Sequence, residues 1–229
     1  MLVAANRAAS FAVAARWVLH DLRSPAQSLT LIADLMTDPA TEVEEILRDS
    51  CRRLAHAIEL LARVMQPAAP ADIGPIAVQE AIGFIADLHR AARFRAALEL
   101  SIQPSLPAAA GIGRHLEHAL LNLLLNAMAA LRSRDDGIIR MAAAQERGHL
   151  AITVADDGPG LPPAAAERLF QRLRPRETDP LSGIGLLVAR EVMRLSGGSL
   201  DHAPDTGPGA RFVITLPIWR REALPRSAP

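Results

Sequence analysis

The sequence predicts an α+β protein: an antiparallel helical hairpin, then a mixed domain whose sheet carries helices on one face. Three observations predict it. Apolar residues recur at alternating steps of four and three through Phe11, Ala15, Val18, Leu22, Pro25, Leu29, Ile32 and Met36, the period of a helix that packs along a seam. Gln66 to Pro75 holds three prolines in ten residues, a stiff linker composition that marks a boundary. Beyond it, helical periods and alternating strands mix without strict strand–helix–strand order.

In chain order, residues 6–36 form the first long helix. Pro25 removes a backbone donor and clashes with the carbonyl of Asp21, which predicts a bend just past His20. Pro39 closes this helix, and Thr41 with Glu44 forms a capping box for the next. That second helix runs to about Met65, with Val43, Leu47, Leu54, Ile58, Leu61 and Met65 as its stripe. Two antiparallel helices cannot bury both stripes alone; a homodimeric four-helix bundle solves this, with packing of the hairpin onto the following domain as the alternative. After the linker, Val78 to about Arg95 reads as a helix and Leu98–Ile102 as a half-buried strand. Ile112–Leu131 is a strong helix. Ile138–Ala144 and His149–Ala155 read as a strand pair, with Leu150, Ile152 and Val154 on one face. Residues 156–182 are irregular and rich in arginine. Ile184–Leu195 is a helix ended by Gly197 and Gly198, and Ser199–His202 and Arg211–Leu216 close the sheet. The domains are thus 1–66, 76–218, a linker at 67–75 between them and a tail at 219–229.

Composition bounds the function. Basic and acidic residues balance at 25 each, every base being arginine, so no charge excess points to nucleic acid. Cys51, the single cysteine, excludes an intrachain disulfide and a multi-cysteine metal site, and is expected as a small residue near a helix interface. No run of eighteen apolar residues predicts membrane insertion, and the N-terminus has no clean signal core. The expected location is the cytoplasm. Tyrosine is absent, which leaves alanine and leucine to fill the core and favours helices.

Four motifs carry chemistry. His20, in His20-Asp21-Leu22-Arg23-Ser24-Pro25, takes the f position of the heptad and points away from the seam, with Ser24 one turn on along the same face. Asn122 and Asn126 share one face of a greasy helix, where amides are costly to bury without partners. They either anchor local structure or meet a ligand or a hydrated magnesium ion, which takes oxygen ligands. Glu117, further back on that helix, is expected to face solvent. Asp156-Asp157-Gly158-Pro159-Gly160 follows a strand directly; the glycines allow close backbone approach, and the aspartate can accept a hydrogen bond from a base amine. Gly183-Ile184-Gly185-Leu186 opens the last helix, whose amides and dipole favour a phosphate. Taken singly, each has a bland reading as an exposed histidine, a cap, a turn or a loop.

Their order is not bland, and in it the chain resembles the sensor histidine kinases of two-component systems from about Arg16 to Pro217. His20–Pro25 resembles the H box, Asn122–Ala127 the N box, Asp156–Gly160 the G1 box, Leu169-Phe170 the F box and Gly183–Leu186 the G2 box. The resemblance implies a phosphoacceptor hairpin and an α/β-sandwich of Bergerat fold that binds ATP and Mg²⁺. It implies that Asp156 binds the adenine amine and that Asn126 holds the metal with support from Asn122. Gly158, Gly160, Gly183, Gly185 and Leu186 would shape the lid and the phosphate contacts. Residues 161–182 would be the lid, with Arg168, Arg172, Arg174 and Arg176 as candidate γ-phosphate or docking contacts. His20 would be phosphorylated with Asp21 orienting its ring, and a response-regulator receiver domain would take the phosphoryl group. Ser24 stands where the family places Thr or Asn for a hydrolytic water, which implies a regulator phosphatase activity weakened by serine.

Departures from the pattern keep alternatives open. Leu181 replaces the first glycine of the G2 box, Leu173 replaces the second F-box phenylalanine, Met128-Ala129-Ala130 lacks the basic residue often found after the N box, and the lid is short. A histidine phosphotransferase with a degenerate ATP domain, or a non-enzymatic dimeric adaptor, would share this pattern. Nineteen residues precede His20, so the input is expected either from further segments of a longer protein or from a separate sensory partner.

Overall fold

The computed structural model describes residues 2–21, 47, 51, 54, 58, 72–162, 169–170, 185–203 and 208–220. Four helices and seven strands are defined among them. They are α1 (Leu2–Asp21), β1 (Gly74–Ile76), α2 (Val78–Ala91), β2 (Ala97–Ile102), β3 (Ala109–Gly111), α3 (Gly113–Ala130), β4 (Ile138–Glu146), β5 (His149–Asp156), α4 (Gly185–Leu195), β6 (Ser199–His202) and β7 (Arg211–Pro217). The remainder of the predicted hairpin, with the Pro25 bend and the Pro39 turn, lies outside the described residues. Leu47, Cys51, Leu54 and Ile58 are helical, as their stripe predicts. Cys51 is exposed in the single chain.

The main sheet has five strands in the order β2-β4-β5-β7-β6. β2 and β4 run parallel and the other neighbours antiparallel. The parallel pair needs a crossover, and α3 lies within it. The alternation in β4, β5 and β7 does what its period of two requires. Ile139, Met141, Leu150, Ile152, Val154, Phe212, Ile214 and Leu216 are buried on the face that carries the helices, while the residues between them are half-buried or exposed.

α3 is the central helix. Leu116, Leu120, Leu123 and Leu124 are buried to 1% exposure or less, each contributing about 2 kcal/mol. Leucine is a strong helix former, so propensity and burial agree here. α2 stops at Ala91, four residues before its predicted end, because Arg93 adopts a left-handed conformation with φ 49°. α4 presents Val188, Ala189, Val192 and Met193 to the core and ends where the Gly198 amide donates to the Met193 carbonyl at 2.9 Å, a C-terminal cap of the glycine type.

Two features depart from the leading expectation, the second of them in the direction of the alternative packing of the hairpin onto the following domain. β1 and β3 form a separate antiparallel pair, with Gly74 opposite Gly111 and Ile76 opposite Ala109. β1 therefore takes in Gly74 and Pro75, which composition places in the linker. Beyond β7, Ile218 bridges Ala109, and the Trp219 amide donates to the Ala108 carbonyl at 2.8 Å. The second feature is α1, which lies against α2, α3 and α4. Asn6, Ser10, Phe11 and Ala14 are buried in this contact, and the Arg114 guanidinium stands 5.7 Å from the centre of the Phe11 ring.

Candidate functional site

The C-terminal end of β5 delivers two consecutive aspartates, and the structure gives them different tasks. Asp157 is committed to the frame. Its carboxylate accepts from the Ile138 amide at 2.8 Å and lies 3.5 Å from the Arg134 guanidinium, which also donates to the Asp157 carbonyl. Asp156 is 8% exposed, and its Oδ1 accepts from the Gly158 amide at 2.9 Å and, more loosely, from the Ala210 amide at 3.4 Å. Burial raises its carboxyl above the ordinary carboxylate range, while those two amides pull it back down.

Close packing builds this seat. A β-carbon on Gly158 would stand 2.7 Å from Asp156 Oδ1 and 3.2 Å from the Ala130 side chain. A β-carbon on Gly209 would stand 1.6 Å from the Asp156 carbonyl oxygen, and Gly209 has φ 98°. Both the space and the backbone conformation therefore demand glycine. The sequence reading missed Gly209 and Ala210. Their signal was Gly207-Pro208-Gly209 directly before a strand, which by itself reads as an ordinary turn. Gly160 packs beside the Gly209 carbonyl.

On α3, Asn122 is 4% exposed. Its amide nitrogen donates to the His118 carbonyl at 2.9 Å, and its oxygen accepts from the Ser10 hydroxyl at 3.3 Å. That oxygen also lies against Gly185, the first residue of α4, where a β-carbon would come within 2.7 Å of it. Asn122 is thus held by structure on both ends and brought to the start of the last helix. Asn126, one turn on, is exposed. Leu186 is half-buried against the core. Phe170 is half-buried under Arg190, whose guanidinium stands 4.4 Å from the ring centre.

Glu117 corrects an expectation. It is 6% exposed rather than solvent-facing, and its carboxylate lies 3.5 Å from Arg114. The reason is that α3 is covered on several sides, by the sheet, by its neighbouring helices and by α1. His118 belongs to the same environment. It is fully buried, with Nε2 3.0 Å from Asn6 Oδ1. Burial above all, then the charges of Arg7 and His115, push its pKa down to about 4. Nothing in the α3 sequence marked His118, because its partner is 112 residues away.

The backbone of His20 and Asp21 forms the last turn of α1. Their side chains, Ser24, Gly183, Leu173, Leu181 and the four lid arginines lie outside the described residues. Among the described residues, no group of three or more His, Cys, Asp or Glu could hold a metal ion, and no helix is long and apolar enough to cross a membrane.

The profile of the histidine kinase-, DNA gyrase B-, and HSP90-like ATPase family matches residues 111–220, which run from β3 to just past β7. Those residues are thus similar to the ATPase domains of that family. The whole chain is related to sensor histidine kinases. It is 31% identical over 227 residues to the C4-dicarboxylate transport sensor protein DctB of Rhizobium meliloti strain 1021, covering 94% of this chain and 36% of DctB. It is 28% identical over 222 residues to the adaptive-response sensory kinase SasA of Prochlorococcus marinus strain MIT 9301, covering 90% of this chain and 58% of SasA. The chain therefore spans between about a third and three fifths of these relatives. Among solved structures, the mycobacterial sensor histidine kinase MprB superposes with a TM-score of 0.52 at 28% identity, over 64% of this chain and 98% of that one. The nucleotide-free catalytic domain of histidine kinase ThkA shares the fold, with a TM-score of 0.55 at 16% identity over 65% of this chain and 97% of that one. Within that range, Asp156 ends β5, Gly158 and Gly160 follow it, Asn122 and Asn126 lie on α3, and Gly185 opens α4.

Proposed function

We propose that this chain is an ATP-dependent protein histidine kinase that phosphorylates His20 and passes the phosphoryl group to the aspartate of a response-regulator receiver domain. The observation that carries the reading is the division of labour at the end of β5. One aspartate braces the frame, and its neighbour is kept in a buried seat where its carboxylate can take a hydrogen bond from the amine of an adenine. Gly158 leaves room for the base beside it. Asn122 and Gly185 mark the phosphate end, where the α4 amides and dipole favour anionic oxygens.

The donor chemistry suits a magnesium ion. Asn126 offers an exposed amide oxygen one turn from Asn122, and magnesium keeps several waters and needs few protein ligands. Bound there, it would neutralise phosphate charge. The chain's own residues do the rest. Asp156 fixes the base, the start of α4 holds the phosphates, and a ring nitrogen of His20 attacks the γ-phosphorus in line. The nitrogen–phosphorus bond forms as the bond to the ADP oxygen breaks, and Asp21 takes up charge on the other ring nitrogen. Positioning supplies most of the rate. Ser24 would place a water that hydrolyses the regulator's phosphoaspartate to inorganic phosphate, a phosphatase activity weakened by serine. The phosphoacceptor hairpin over residues 1–66 pairs with a second copy as a four-helix bundle in the cytoplasm. The ATPase domain reaches His20 by turning on the proline linker.

The test is incubation with γ-labelled ATP and Mg²⁺, beside His20→Ala and Asp156→Ala. Acid-labile label on the wild type that both variants lose is expected. An unlabelled wild type that also binds no nucleotide by calorimetry would sink the reading and favour a histidine phosphotransferase.

A further inference from the structure

The seam predicted for the bundle and the face of α1 that lies on the ATPase domain share residues. Phe11 is buried and Ala15 half-buried against the domain's core, and both open the seam that runs on to Val18 and Leu22. This contact is no loose apolar patch. Two polar side chains one turn apart on α1 are buried in it, and their partners are one turn apart on α3. Asn6 Oδ1 meets His118 Nε2 at 3.0 Å, and the Ser10 hydroxyl donates to Asn122 Oδ1 at 3.3 Å. The register of 6 with 118 and 10 with 122 sets the two helices parallel. Buried polar groups cost free energy unless paired, so an in-register set of partners specifies one docking geometry and disfavours its neighbours.

We propose that the segment Asn6–Ala15 is a two-position switch: it clasps α3 of its own ATPase domain or enters the four-helix bundle of the dimer, and the two are mutually exclusive. The proposal rests on the dimeric reading above. One helix face cannot bury Phe11 and Ala15 in two places. In the clasped position α1 continues as a single helix through His20, so the phosphoacceptor is carried rigidly with its own ATPase domain. Release offers the seam to a second copy and frees the domain to turn on the linker. A partner that grips the first turns of α1 would therefore act on the kinase by shifting this equilibrium.

The experiment measures dimerisation of the full chain by sedimentation equilibrium for wild type, Asn6→Ala and Ser10→Ala. Removing one such hydrogen bond weakens the clasp severalfold. Both chains must unclasp to pair, so the dimer Kd is expected to fall by about tenfold. A complementary variant closes the clasp: Asn6→Cys with His118→Cys in a Cys51→Ser background, joined by a short bis-maleimide linker at high dilution. It is expected to stay monomeric at every concentration while still binding magnesium-ATP, which reports an intact ATPase domain. An unchanged or weaker dimer in both alanine variants, or a linked chain that dimerises like wild type, overturns the switch and leaves the kinase reading standing. Monomers throughout, wild type included, overturn the bundle and the switch with it.

Discussion

The α-carbon of Gly209 is pressed against the carbonyl of Asp156, so closely that a β-carbon there would stand 1.6 Å from the oxygen. β5 and β7 meet at this point, because the Asp156 amide donates to the Ala210 carbonyl at 3.0 Å. Gly209→Ala must both push the strands apart and hold alanine at φ 98°. The expected cost is about 2–4 kcal/mol, read as a lowered urea midpoint, with nucleotide affinity falling as well. A variant as stable as wild type would show that the turn relaxes freely.

Asp156→Asn should separate stability from binding. The buried carboxylate is held above its ordinary pKa, so at neutral pH its ionised form is disfavoured by folding. Asparagine keeps an oxygen for the Gly158 amide and removes that penalty. We expect an unchanged or raised Tm and at least about tenfold weaker ATP binding, since an acceptor has been lost or reversed at the base. Parallel thermal melts and calorimetric titrations decide it.

Asp157→Ala should show the opposite pattern. It strips the Ile138 amide of its acceptor and removes the carboxylate beside Arg134, with an expected loss of about 1–2 kcal/mol. ATP affinity should change less than in Asp156→Asn. If the two variants lose equal affinity, the assignment of frame and ligand roles is wrong.

His118 predicts an acid limb. Its folded pKa of about 4 lies below the ordinary value of 6.5, so the unfolded chain binds the extra proton. Its contribution is complete above about pH 6.5 and is lost as pH falls toward 4. Protonation would place a second ring N–H in the interior, where His118 Nδ1 has no hydrogen-bond partner among the described residues. The loss is at most about 3 kcal/mol. His89 and His115 are also lowered by burial, so His118→Gln should flatten the fall in Tm between pH 7 and 4.5 without abolishing it. An identical slope in the variant would place the titration elsewhere.

Periodicity located most of the fold. α3, β5 and β7 lie within a residue or two of their predicted bounds because burial repeats along each of them. α2 ended early because no glycine or proline marks Arg93, whose left-handed conformation stops the helix. β1 and β3, three residues each, are too short to carry a period. At the site, Asp156, Gly158 and Asn122 were legible as local patterns. Gly209 and His118 were not, since each owes its role to a segment remote in sequence. The seam through Phe11 was read from its spacing, yet spacing names a buried face without naming what buries it.

The seat of Asp156 also has an order of assembly. β4 and β5 pair through the tight turn at Arg147-Gly148, a contact that forms early because little chain entropy opposes it. The Ala210 amide that reaches Asp156 comes from 54 residues further on. A chain still emerging from the ribosome would hold its central hairpin before β7 exists, and with it an Asp156 seat lacking one wall. A ligand of that seat could therefore not guide the early steps of folding; it could only reward their completion.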